Sequence, residues 1–215
     1  TYADSSDYNF VVNKSGYKLA DAIKKILSKD NFDTASAVLK INGETKTVGS
    51  ETLKVGDVVE LFMNADDSKK VATATVIRYT ADEVTGDVET SSKDGKDYVK
   101  VPGVVTGKVE TKTVKGYEGL VKGDHVYKYT AGSVTYLAKA NSFEGKLTEI
   151  KGSGANAKYV IGGSEYMFVE GVSLSTFNTL YTFYTTADGY IIEAVEKEEA
   201  LSDYVAIQAA NKTSD

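Results

Sequence analysis

Residues 37–48 read Ala-Val-Leu-Lys-Ile-Asn-Gly-Glu-Thr-Lys-Thr-Val. Two short runs rich in β-branched residues alternate apolar with polar side chains, as half-buried strands require. Asn42-Gly43 sits between them, and both residues tolerate the positive φ that matches the twist of flanking strands. This is the signature of a β-hairpin. The device recurs at Asp94-Gly95 and Asp188-Gly189, and in softer form at Gly162-Gly163 and Ala131-Gly132. Nearly everything after Ala35 keeps the period of two. One earlier segment does not: over Tyr17–Lys29 the apolar residues Leu19, Ala20, Ile23, Ile26 and Leu27 form a single helical stripe. Ser15 stands ready as N-cap, and Lys24, Lys25 and Lys29 lie toward the negative end of the dipole. The expected fold is mainly β: tandem small antiparallel β modules, barrel- or sandwich-like, with one short N-terminal helix.

A longer pattern organises these strands. Leu53-x-x-Gly56-Asp57-x-Val59 recurs as Leu120-x-x-Gly123-Asp124-x-Val126, with Phe62 and Tyr129 three residues further on. Leu174-x-x-Phe177-Asn178-x-Leu180 reads as a degenerate third copy, with Phe183 in the aromatic position. Each copy is followed by another alternating run and preceded by a hairpin-like stretch. Spacings of this size suit β modules in tandem. The expected division is a connector, the helix and a first β unit over 1–83, a second unit over 84–142, a third over 143–201, and a connector to a following module over 202–215. In the repeated motif the leucine plugs the core, the glycine takes a backbone geometry denied to residues with a Cβ, and the aspartate binds turn amides. Gly56, Asp57, Gly123 and Asp124 are therefore expected to be structural turn residues.

Composition excludes several classes of function. The 215 residues contain no Cys, no Trp, one Pro and one His, so disulfide frameworks, thiol nucleophiles and multi-histidine metal sites are absent. The net charge of −6 gives no footprint for a phosphate backbone, so no nucleic-acid partner is expected. No stretch is apolar for long enough to cross a bilayer as a helix. Arg78 is the single arginine, and the basic residues as a class read as solvated surface. His125 falls one position past the second Gly-Asp, where the first copy has Val58, and reads as a strand residue rather than a base. No Gly-x-Ser-x-Gly elbow or phosphate loop occurs. Neither Asn64–Ser68 nor Asp94–Asp97 has calcium-loop spacing. No catalytic residue, cofactor or metal is expected.

The ends of the chain match one another. Ser6-Asp7-Tyr8-Asn9-Phe10-Val11 resembles Ser202-Asp203-Tyr204-Val205-Ala206-Ile207, as if the same connector stood at both edges of one period of a longer array. Together with TFYTTADGYIIEAVEKEEALSDYVAIQAA near the end and VLKINGETKTV…LKVGDVVELFMN earlier, this resembles the extracellular repeat region of bacterial S-layer and S-layer-homology-domain-bearing cell-surface proteins. The resemblance implies an exported, non-enzymatic spacer or assembly segment at the bacterial cell surface. Its partners would be neighbouring modules of the same polypeptide and other copies of the surface protein. An alternative from a different class is an adhesin or carbohydrate-binding module. It would use tyrosines presented on the strands, with Tyr127, Tyr129, Tyr136 and Tyr184 as the candidate ligand contacts.

Overall fold

A computed structural model describes residues 37–198, apart from 48–50, 52, 64 and 66–70. The expected helix over Tyr17–Lys29 and the connector over 202–215 lie outside the described residues. Strand makes up 55% of the structure and helix 3%, the latter only as short 3-10 turns, so the mainly β class holds.

The first hairpin joins β1 (Val38–Ile41) to β2 (Glu44–Lys46). Asn42 and Gly43 have φ of 49° and 80°, the paired positive values of a type I′ turn. β3 (Val58–Met63) and β4 (Val71–Ile77) follow, giving the sheet order β2-β1-β4-β3. Leu39, Ile41, Leu53, Val71, Ala74 and Val76 form its core. Each fully buried aliphatic side chain there contributes about 1.5–3 kcal/mol relative to exposure.

The second region begins with β5 (Thr80–Glu83). A three-stranded sheet follows: β6 (Glu89–Lys93), β7 (Lys96–Lys100) and β8 (Lys108–Glu110). The chain returns through β9 (Val114–Lys115), β10 (His125–Ala131) and β11 (Val134–Lys139), which assemble with β5 in the order β5-β10-β11-β9. Val99, Val101 and Val104 meet Val84, Val114, Leu120, Val126 and Leu137 in one core beneath the two sheets. The third region is a single sheet of β12 (Asn141–Lys151), β13 (Lys158–Ile161), β14 (Ser164–Tyr166), β15 (Leu180–Thr185) and β16 (Ile191–Glu196), in the order β14-β13-β12-β15-β16. Its core is aromatic and aliphatic: Phe168, Tyr181 and Phe183 with Leu147, Ile161 and Ile191.

Two of the four sheets are mixed, not purely antiparallel as expected, and the five-stranded sheet gains one parallel bridge. β1 runs parallel to β4, β9 runs parallel to β11, and Phe168 makes an isolated parallel bridge to Ile191 of β16. In each case the second strand of a hairpin (β3–β4, β10–β11 or β15–β16) pairs with a segment from before that hairpin. The chain must cross over to make such a pairing, which alternation alone does not encode. The expected boundary at 83/84 also cuts through one sheet. β5 lies on the near side of it in sequence, yet hydrogen-bonds to β10, with His125 opposite Glu83 and Lys128 opposite Thr80.

The third copy of the motif departs from the other two. In the first two, the glycine holds the positive φ: 91° at Gly56 and 88° at Gly123. At the third, Phe177 cannot take that conformation and Asn178 does so instead, with φ 61°. No i-to-i+3 bond closes a turn there; the Asn178 amide donates to Leu147 O at 3.0 Å instead, and the strand that follows presents its faces the other way round. Phe183 is consequently fully buried in the core, whereas Phe62 and Tyr129 lie on the side of their strands opposite the buried partners. The match of Phe183 with those two aromatics is one of sequence position, not of placement.

Candidate functional site

The polar side chains singled out by the motif form one cluster within the first region, one within the second and one that joins the second to the third. Lys54 to Asp57 form a type II turn in which the Asp57 amide donates to Lys54 O at 3.1 Å, and Gly56 occupies the position requiring positive φ. The Asp57 carboxylate accepts the Lys54 amide at 2.9 Å. It also accepts two bonds from Arg78, Nε and one terminal nitrogen each at 2.9 Å. The Asp57 side chain is 3% exposed and that of Arg78 22%, so the pair is largely withdrawn from water. Bidentate geometry of this kind is the arrangement that compensates such withdrawal. Hydrogen bonding to Asp57 raises the Arg78 pKa against the opposing effect of burial. Asn42 then clasps the arginine backbone: its side-chain nitrogen donates to Arg78 O at 3.0 Å and its oxygen accepts the Arg78 amide at 2.8 Å.

The Gly123–Asp124 turn repeats the local bonds with different surroundings. The Asp124 amide donates to Val121 O at 3.1 Å, and the carboxylate accepts the Val121 amide at 3.0 Å. Its cation is Lys139, at 2.6 Å and with 59% of its side chain in solvent. Burial of Asp124 works against ionisation. The Lys139 ammonium, the Val121 amide and neighbouring His125 outweigh it, so the pKa falls below the ordinary aspartate value.

His125 faces the third region. Its Nδ1 is 2.7 Å from Glu193 Oε2, and its ring stacks on Tyr184 with centroids 3.6 Å apart. Elsewhere the first region touches the third directly: the Glu170 amide donates to Val55 O at 2.9 Å, and Val169 lies against Gly56. A Cβ added to Gly56 would stand 2.7 Å from Val169 Cγ2. The Asn42–Gly43 turn in turn rests on Ala131 at the end of β10. Each region thus contacts both others. A cleft of about 500 Å³ lies between the first and third, lined by Val55, Tyr159, Phe168 and Val169. A more polar cleft of about 420 Å³ lies between the first and second, lined by Glu44, Lys46, Glu51, Arg78 and Lys128.

The four candidate tyrosines do not form one exposed row. Tyr127 and Tyr129 are half-buried and meet Tyr79 edge-on, at 4.9 and 5.8 Å between centroids. Tyr136 stacks on Tyr129 at 4.8 Å and is 38% exposed, while Tyr184 lies under the His125 ring. Sequence reasoning missed Tyr79, Glu193, Val169 and the roles of Arg78 and Asn42. One signal was available for Arg78: a lone arginine among lysines suits a bidentate site rather than general solubility.

Among the described residues no group of three or more His, Cys, Asp or Glu side chains is placed to hold a metal ion. No helix among them is long and apolar enough to cross a membrane. Comparison of the chain with protein-family models, with curated proteins and with solved structures finds no match.

Proposed function

We propose that the chain is a non-catalytic structural segment of an exported bacterial cell-surface protein of the S-layer kind, in which tandem β modules space or assemble a surface array. What supports the reading most is the use made of the polar side chains at the junctions. The sole arginine, the sole histidine and both turn aspartates are engaged in fastening turns and neighbouring regions to one another. Partners under this reading are adjoining modules of the same polypeptide and further copies of it. The test is antibody labelling of intact cells of the producing organism, before and after external protease. Labelling that the protease removes is the expected result; a protein found only in the cytosol overturns the reading.

One observation favours a second reading, an adhesin or carbohydrate-binding module. The flat Tyr129–Tyr136 pair, with Tyr136 exposed, is a surface on which a sugar ring could stack. Titration with wall polysaccharide, followed by tyrosine fluorescence, separates the two readings. Saturable quenching that disappears in Tyr136→Ala supports the binding module, and an unresponsive signal leaves the structural reading alone.

A further inference from the structure

The three hairpins differ on one edge. β10 is covered on its outer side by β5, and β15 by the first half of β12, from Asn141 to Lys146. Both covering strands are antiparallel to the strand they cover, and both come straight out of the preceding hairpin. Only Arg78 and Tyr79 separate β4 from β5, and only Ala140 separates β11 from β12. β3 is the equivalent strand of the first hairpin, and among the described residues nothing pairs with its outer edge. The sequence of β3, Val-Val-Glu-Leu-Phe-Met, carries no lysine or proline to protect an edge; its single charge is Glu60, and its one irregularity is a register shift at Phe62/Met63.

Aromatic contacts mark the same difference. Each covering segment sets a ring on an aromatic of the strand it covers: Tyr79 on Tyr127 and Tyr129, and Phe143 on Phe183 at 5.3 Å. On β3 the aromatic is Phe62, and it is 49% exposed.

We infer that the outer edge of β3 is the docking site for an antiparallel strand supplied by Tyr8–Val12 of the same chain, with Tyr8 and Phe10 on the face toward Phe62. Three observations select this occupant. The covering strand always precedes the rest of its own unit, which for the first unit places it before β1. Tyr-Asn-Phe-Val-Val alternates two aromatics on one face and is rich in strand formers. The topology also closes. A strand antiparallel to β3 is parallel to β1, and parallel strands need a crossover of a dozen or more residues, usually helical. Residues 13–37 supply that length and include the stretch with the helical stripe. The second unit spans the same crossover with the β6–β8 sheet, which lies over its core; among the described residues the first core draws only on its own sheet and turn.

Hydrogen exchange on the full chain tests the docking. The β3 amides should be protected as well as those of β10 and β15. The double substitution Asn9→Pro, Val11→Pro removes two donors from the docked strand. It should speed β3 exchange at least tenfold and leave β10 and β15 unchanged. Unaltered β3 protection in the variant overturns the inference. So does protection that rises with protein concentration, which would assign the edge to Ser202–Ile207 of a second copy. Crosslinking reads the same contact without relying on proline. The chain has no cysteine, so Phe62→Cys combined in turn with Tyr8→Cys, Phe10→Cys and Val11→Cys gives clean reporters. An intramolecular disulfide at position 8 or 10 but not at 11 is expected. Only intermolecular bonds, or none, overturn it.

Discussion

The turns at Gly56–Asp57 and Gly123–Asp124 make the same local hydrogen bonds, from amide to carbonyl and from amide to carboxylate, yet they carry different burdens. The first is held inside the molecule, its carboxylate clamped by Arg78 and its glycine pressed against Val169 of another region. In the second the carboxylate is buried as well, but its cation is a lysine more than half in solvent, and its exposed glycine has nothing within 4 Å of where a Cβ would be. One local motif therefore supports two energetic roles. Context decides which, and the difference is measurable by substitution.

The largest contrast should come from the cations. Arg78→Ala leaves the Asp57 carboxylate buried without its partner, a change that costs about 3–5 kcal/mol. Chemical denaturation should show the midpoint falling sharply, and a loss below about 1 kcal/mol would mean that water reaches Asp57 freely. Glycine substitution sharpens the comparison next. Gly56→Ala combines a backbone conformation that alanine resists with the 2.7 Å approach to Val169 Cγ2, for about 2–4 kcal/mol in total. Gly123→Ala meets only the backbone term, about 1–2 kcal/mol. Equal losses at the two positions would show that Val169 yields to the added methyl at no cost. Because each region touches both others, Gly123→Val should lower a single cooperative transition. Melting of the second unit alone would show instead that the modules fold independently.

The smallest effect belongs to Lys139→Ala, below about 1 kcal/mol at neutral pH because the lysine is largely solvated. It has a sharper signature in acid. The Asp124 pKa is depressed in the folded state, so its contribution is fully present above the unfolded value. That contribution disappears as pH falls below about 4. Removing Lys139 weakens the depression, so the variant should lose less stability than the parent between neutral pH and pH 2. An identical acid limb in both proteins would assign the depression to the Val121 amide and His125.

The strands and most turns could be read directly, because alternation and Asn-Gly or Asp-Gly pairs are local signals. Asn42-Gly43 and Asp94-Gly95 are the two-residue turns that those pairs specify. Asp188-Gly189 is not: the Thr186 amide reaches Tyr190 O, and Gly189 alone takes positive φ, closing a three-residue loop. Pairing partners were out of reach. Nothing in Thr80–Glu83 says that it joins β10 rather than the strand just before it, since a two-residue link allows either course. The same limit explains the site. Asp57 was found because it belongs to a motif, but Arg78 lies 21 residues away and its role exists only once β4 has been laid beside β3.

The parallel pairing of β1 with β4 has a mechanical consequence. Among the described residues the first sheet begins at Val38 and ends at Ile77, and these lie at opposite ends of two adjacent strands that run the same way. Tension applied between these two points pulls β1 and β4 past each other, loading the bonds that hold Val38 to Thr73 through Ile41 to Val76 together instead of opening them one after another. A sheet wired in this way resists stretching in shear, whereas the neighbouring β3–β4 hairpin would unzip bond by bond.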